Sequence, residues 1–259
     1  MTHENFSQDY LYLNKPVFFD SDSYRLRCFD SHEKMSFAAS KFMLDTVNDV
    51  LSKRENCFIC LAGGNTPVKC YRSFAQDLHK SSSAARKGTI HFFLGDERIV
   101  PANHPDSNTK MVCDNLVVPL SSPNVVFHAP NTYLIDTAEI ATDYECRIRG
   151  LLPIRDDMPQ FDLIILGLGT DGHTASIFSD TLGDHEKKGW VLPVAKSLNR
   201  AHERITLSLS VINSAHQIMF LISGKEKHPV LDQVLRRNPA FAASKIQPSH
   251  DRLLYFVSN

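Results

Sequence analysis

Between Phe161 and Phe178 the chain reads FDLIILGLGTDGHTASIF. Its apolar run, Leu163–Leu166, is four residues long and bounded by turn residues, the pattern of a buried strand. Glycines at 167, 169 and 172 break that strand, and a helix-forming run is expected from His173. Asp171 and His173 sit at this transition. Ligands of open α/β sheets bind at the carboxyl ends of the strands. One small volume would therefore hold an acid, an imidazole and free backbone N–H groups.

The rest of the chain repeats this alternation. Strands are expected over Tyr24–Phe29, Cys57–Leu61, Thr89–Leu94, Phe161–Leu166, Ile205–Leu209, Gln217–Ile222 and Leu253–Val257. Ser31–Leu51 carries Met35, Ala39, Phe42, Met43, Val47 and Val50 at the spacing of an amphipathic helix. Further helices are expected after Thr66 as N-cap and Pro67 as N1, near Asn108–Leu116, over Asp136–Leu151 and over Lys225–Leu235. Strands alternating with helices predict a mostly parallel sheet with helices on both faces. No composition shift marks a boundary, so one domain over residues 1–259 is expected, with Ser81–Ala85 as a short surface linker.

Twenty-eight basic residues against 29 acidic give a net charge of −1, which argues against nucleic acid or a membrane surface as partner. The N-terminus, MTHENFSQDY, lacks a basic start followed by an apolar run, so no secretory signal is expected. No apolar stretch approaches the ~18 residues that span a bilayer, and a cytoplasmic protein is the expectation. Cys57 and Cys60 form a C-x-x-C, but on a strand they point to opposite faces and can neither bridge nor share a metal. The twelve histidines contain no H-x-x-x-H or H-E-x-x-H, so no metal site is expected. The charge balance permits a monomer without deciding the oligomeric state, and the first 35 residues carry no usable motif.

Four strand ends bear unusual polar residues. Gly63-Gly64-Asn65-Thr66-Pro67 lets a ligand approach the backbone and opens a helix, an anion site or a plain turn. Asp96-Glu97-Arg98 follows an apolar strand, either as a solvated loop with an internal ion pair or with Arg98 in a cleft. Gly167-Leu168-Gly169-Thr170-Asp171-Gly172 formally matches G-x-G-x-x-G, yet Lys187, about twenty residues on, lies in a polar stretch with no acid-tipped strand. A catalytic Asp171–His173 pair explains the segment better than a dinucleotide site. Arg204, before a strand, and Lys225, at a helix start, complete the set; a Lys there opposes the helix dipole and suggests contact with a phosphate.

In this order, LAGGNTP (61–67), DERIVPANHPDSN (96–108), LGLGTDGHTASIF (166–178), RITLSL (204–209) and SGKEK (223–227) resemble the 6-phosphogluconolactonases. DGHTAS and HPDSN are the specific elements; the glycine turns alone are not. The resemblance implies a modified doubly wound α/β domain, without metal or cofactor, that hydrolyses 6-phospho-D-glucono-1,5-lactone. In that reading His173 is the general base, Asp171 orients it, and Arg98 stabilises charge or holds substrate hydroxyls. Gly63, Gly64, Asn65, Thr66, Asp96, Arg204 and Lys225 would bind the phosphorylated substrate. Glucosamine-6-phosphate deaminases share the fold but typically read DEY for Asp96-Glu97-Arg98, and follow DGH with a stretch ending in Asn-Glu-Pro. Residues 174–179 contain no carboxylate. A non-catalytic sugar-phosphate sensor is a further alternative, although it would not need the Asp171–His173 pair.

Overall fold

The computed structural model describes residues 17–80, 88–134, 136–186, 189–248 and 253–259. The expected linker at 81–85 and Lys187 lie outside these residues. The chain opens with β1 (Val17–Asp20) and β2 (Arg25–Phe29), followed by α1 (His32–Leu51). Ser31 caps α1, its hydroxyl accepting from the Lys34 N–H, as a serine before an acidic first turn favours. Next come β3 (Asn56–Leu61), α2 (Val68–Lys80), β4 (Thr89–Leu94) and β5 (Asp96–Arg98). A continuous helical run begins as α3 (Asn108–Val112), widens to a π-helical turn over Cys113–Val117 and ends as α4 (Val118–Leu120). β6 (Val125–His128), α5 (Thr137–Leu151), a small hairpin of β7 (Ile154–Arg155) with β8 (Met158–Pro159), and β9 (Leu163–Leu166) follow. The last elements are β10 (Val191–Val194), β11 (Arg204–Leu207), α6 (Leu209–Asn213), β12 (Ile218–Ser223), α7 (His228–Leu235) and β13 (Leu253–Ser258).

Eight strands form the main sheet in the order β1-β2-β13-β12-β9-β3-β4-β6. All pair in parallel except β1, antiparallel to β2 at the edge. From β3 the chain winds outward through β4 to β6. From β9 it winds the other way through β12 to β13. The sheet is therefore doubly wound, with its switch point between β3 and β9. Because strand side chains alternate, each face has its own core. Met35, Met43, Tyr71, Phe74 and Leu116 from α1, α2 and the π turn cover one face. Ile140, Tyr144, Ile212 and Leu231 from α5, α6 and α7 cover the other. Cys57 lies in the first core and Cys60 in the second, as strand alternation requires. Burial pushes both thiols well above their ordinary pKa, so neither is a reactive thiolate.

Several local expectations change. No helix starts at His173; Thr174 and Ile177 form a tight turn, and a 3-10 helix begins only at Ser179. The side chains there are committed elsewhere: the Thr174 hydroxyl donates to the Gly167 carbonyl at 2.8 Å, and the Ser176 hydroxyl to Asp96. α2 starts one residue late. Its first bond runs from the Tyr71 N–H to the Pro67 carbonyl, while the Thr66 carbonyl accepts from His32 Nε2. The strand expected over Ile205–Leu209 ends at Leu207, because Ser208 caps α6. Residues 225–227 form a 3-10 turn ahead of α7. Asp96–Arg98 is no solvated loop: it pairs with β11 in a three-stranded antiparallel sheet, β10-β11-β5, and Glu97 is fully buried.

The switch point is tied by Asp162, whose side chain is 1% exposed. Its Oδ2 accepts from the Phe58 N–H at 2.8 Å, its own N–H donates to the Phe58 carbonyl, and Arg54 pairs with Oδ1. Asp162→Ala orphans a buried N–H. Urea unfolding should show a loss of roughly 2–3 kcal/mol; a loss below about 0.5 kcal/mol would mean that this tie contributes nothing.

Candidate active site

Strands β12, β9, β3 and β4 are neighbours, and their carboxyl ends open into one cleft of about 250 Å³. The turn after β3 supplies Gly63, Gly64, Asn65 and Thr66; β4 leads to Asp96; the turn after β9 supplies Gly167, Gly169 and His173. The small sheet adds Arg98 from β5 and Arg204 from β11, which face each other as cross-strand partners.

His173 and Asp171 form the pair that their spacing suggested. Asp171 Oδ1 lies 2.5 Å from His173 Nδ1 and also accepts the His173 N–H at 3.2 Å. The hydrogen bond from His173 is the main reason that the Asp171 carboxyl falls to about 2. With Nδ1 held, Nε2 is the ring nitrogen left for chemistry in the cleft. The Phe178 ring packs at 4.7 Å from the imidazole, centroid to centroid. Gly169 is required by this packing: a Cβ there would sit 2.1 Å from His173 Nδ1 and 2.5 Å from Asp171 Oδ1. Asp171 does not itself line the cleft; it stands behind the imidazole.

The buried acids organise the other wall. Glu97 accepts from the N–H groups of Arg98, Asn108 and Thr109 at 2.7–2.8 Å, which fixes the start of α3. Burial nevertheless pushes its carboxyl above the usual range. Asp96 accepts from the Ser176 hydroxyl at 2.6 Å, and its carbonyl accepts from Asn108 Nδ2 at 2.9 Å. Ser176 is fully buried and engaged, which disfavours it as a nucleophile. A Cβ on Gly63 would meet Asn108 Oδ1 at 2.0 Å, so the glycine turn and the HPDSN loop fit together only without a side chain.

Three cations face one acid across this cleft: Arg98, Arg204 and Lys227 against Asp96. Arg98 donates to the Asp106 carbonyl at 2.7 Å, and Arg204 to Ser176 Oγ at 3.3 Å. The Nε of each arginine is buried and has no hydrogen-bond partner among the described residues. Burial lowers the pKa of Arg204 and of Lys227 from their ordinary values. An anion supplied by a ligand would relieve the burial of these like charges.

One expected residue lies outside the cleft. Lys225 is exposed and does not line the cleft, whereas half-buried Lys227 does. The 3-10 turn at 225–227 turns the first lysine outward and the second inward. A lysine three residues after Gly224 fits G-x-x-K, so the motif itself contained the signal. Asn108, from the HPDSN motif, also lines the cleft and was not singled out.

The fold is that of a doubly wound α/β protein with a cationic, His-bearing cleft at its switch point, a place where such sheets bind small molecules. Residues 30–255 match the family described as glucosamine-6-phosphate isomerases/6-phosphogluconolactonase, and the chain belongs to that family. It is 30% identical over 242 residues to the Arabidopsis thaliana protein named 6-phosphogluconolactonase 3, chloroplastic, covering 90% of this chain and 73% of that one. It is 32% identical over 198 residues to the 6-phosphogluconolactonase of Treponema pallidum, covering 76% of this chain and 80% of that one. The crystal structure of the Thermotoga maritima 6-phosphogluconolactonase matches with a TM-score of 0.76 at 31% identity, over 90% of this chain and 99% of that one.

A carboxyl depressed in the folded state stabilises the fold above its unfolded pKa and loses that contribution as pH falls through the folded value. For Asp171 the loss should run from about pH 4 down to about pH 2. Urea unfolding of wild type and Asp171→Asn should differ at about pH 5, the difference closing as pH falls through that window. Parallel profiles from pH 7 to pH 2 would show that the pair contributes no such linkage.

Proposed function

We propose that this cleft hydrolyses 6-phospho-D-glucono-1,5-lactone to 6-phospho-D-gluconate, as one domain acting in the cytoplasm. The observation that carries the reading is the Asp171–His173 pair opening onto the same cleft as Arg98, Arg204 and Lys227. Cationic groups hold the phosphate and the oxygen-rich ring, and the imidazole faces the water that attacks the carbonyl carbon. The family description also names isomerases, but residues 174–179 fold into a turn without a carboxylate. Among the described residues no helix is long and apolar enough to cross a membrane.

In the proposed reaction His173 Nε2 takes a proton from water as the water oxygen bonds to C1. Asp171 holds the ring by Nδ1 and favours the imidazolium that forms. The carbonyl oxygen gains negative charge, which Arg98 stabilises. When the C1–O5 bond breaks, the imidazolium returns its proton to the O5 alkoxide, leaving the acid and a free base. Lys227 and the backbone N–H groups of the Gly63–Thr66 turn, ahead of α2, hold the phosphate, with Arg204 nearby. A lactone is a reactive ester, so one positioned base, worth about 10²–10⁴-fold, and orientation meet the demand without a covalent intermediate.

Steady-state kinetics on freshly prepared lactone test the roles. His173→Ala should lower kcat by about 10²–10⁴-fold with KM little changed; near-wild-type turnover would remove His173 as the base. Lys227→Ala should raise KM by about tenfold or more, while Lys225→Ala should leave it unchanged. The reverse pattern would restore Lys225 to the phosphate site.

A further inference from the structure

At the lip of the cleft lies a second cluster that this mechanism does not use. His104 and Asp106 belong to the loop after β5, and His202 to the segment entering β11. One ligand atom from each lies within 4.8 Å of the other two. His202 Nε2 is 2.9 Å from Asp106 Oδ2, and His104 Nδ1 is 3.8 Å from the same oxygen. The two imidazoles meet edge to face, with centroids 5.5 Å apart.

Neighbouring ligands of a tetrahedral zinc ion, each about 2.0–2.2 Å from it, stand roughly 3.3–3.5 Å apart. The cluster brackets that spacing, so side-chain shifts below about one ångström would close it around an ion. All three residues keep solvent exposure, which leaves water for the fourth position. The Asp106 N–H, which now donates to His104 Nδ1 at 3.1 Å, would give up that contact to the ion or leave it in place if Nε2 binds. Two imidazoles with one carboxylate suit zinc-class dications; magnesium and calcium prefer all-oxygen shells.

We propose that His104, Asp106 and His202 form a binding site for one transition-metal dication of the zinc class. The site cross-links the two segments that lead to the cleft arginines. Asp106 contributes its carboxylate to the site and its carbonyl to the Arg98 guanidinium, so occupancy fixes the peptide that holds Arg98. The inference is independent of the lactone reading, because it rests on the cluster alone.

Tag-free full-length protein, stripped with chelator and dialysed, is titrated with Co²⁺ as the probe. One saturating equivalent with visible d–d absorption is expected, bleached by added Zn²⁺ and unaffected by Cys146→Ser, which removes the exposed thiol. His202→Ala and Asp106→Asn should each weaken binding by about 10–100-fold or more. Zn²⁺ should raise the Tm of wild type but not of His202→Ala. Absence of saturable binding, or binding and Tm shifts that survive both substitutions, would overturn the site.

Discussion

The buried carboxylate of Asp96 is the group on which the geometry of the cleft depends. It opens β5, just beyond the end of β4 at the floor of the site, where it accepts the Ser176 hydroxyl from the loop that carries His173. Its carbonyl receives Asn108 Nδ2 from the start of α3, and Arg204 on β11 lies 3.8 Å from its Oδ2. Three segments distant in sequence are thus fixed to one strand end. An aspartate held this deeply is stable only while its donors stay in place. Glu97 does the same for the following turn by gathering three backbone N–H groups. The two acids together turn a polar loop into a rigid wall, and Arg98 and Arg204 project from it.

This arrangement needs close approach between elements. Asn108 can reach Asp96 because residue 63 has no side chain, and His173 can stack over its own loop because residue 169 has none. The glycines of the strand ends therefore act less as hinges than as clearances. The parallel sheet provides the frame: β9 and β3 pair side by side at the switch point, the chain winds away from them in opposite directions, and Asp162 ties their entry ends while the cleft opens at their exits. Asp96 and Arg98 come from the half of the winding that begins at β3, and the Asp171–His173 pair, Arg204 and Lys227 from the half that begins at β9, so the cleft is complete only once both halves have docked.

Much of this was legible in the sequence because short, bounded apolar runs can be read directly. β3, β4, β9, β12 and β13, and helices α1 and α5, fall within a residue or two of their expected limits. The Asp171–His173 pair was legible for the same reason, since two residues on one turn must be neighbours. What escaped depended on distant partners. β5 is three charged residues that become a strand only because β11 lies beside them. The turn after His173 replaces an expected helix because Thr174 and Ser176 bond to Gly167 and Asp96. Lys227 rather than Lys225 enters the cleft because a 3-10 turn, not an α-helix, opens α7. The cluster of His104, Asp106 and His202 spans almost one hundred residues, and no local motif could have announced it.

The most direct test of the central claim pairs two assays on the wild-type protein. One follows loss of freshly generated 6-phosphogluconolactone, corrected for its spontaneous hydrolysis. The other follows ammonia release from glucosamine 6-phosphate. A base held by Asp171 in a cationic cleft with no carboxylate in the turn after His173 predicts fast lactone loss and no ammonia. Ammonia release, or lactone loss no faster than the spontaneous rate with folded protein, would contradict the account.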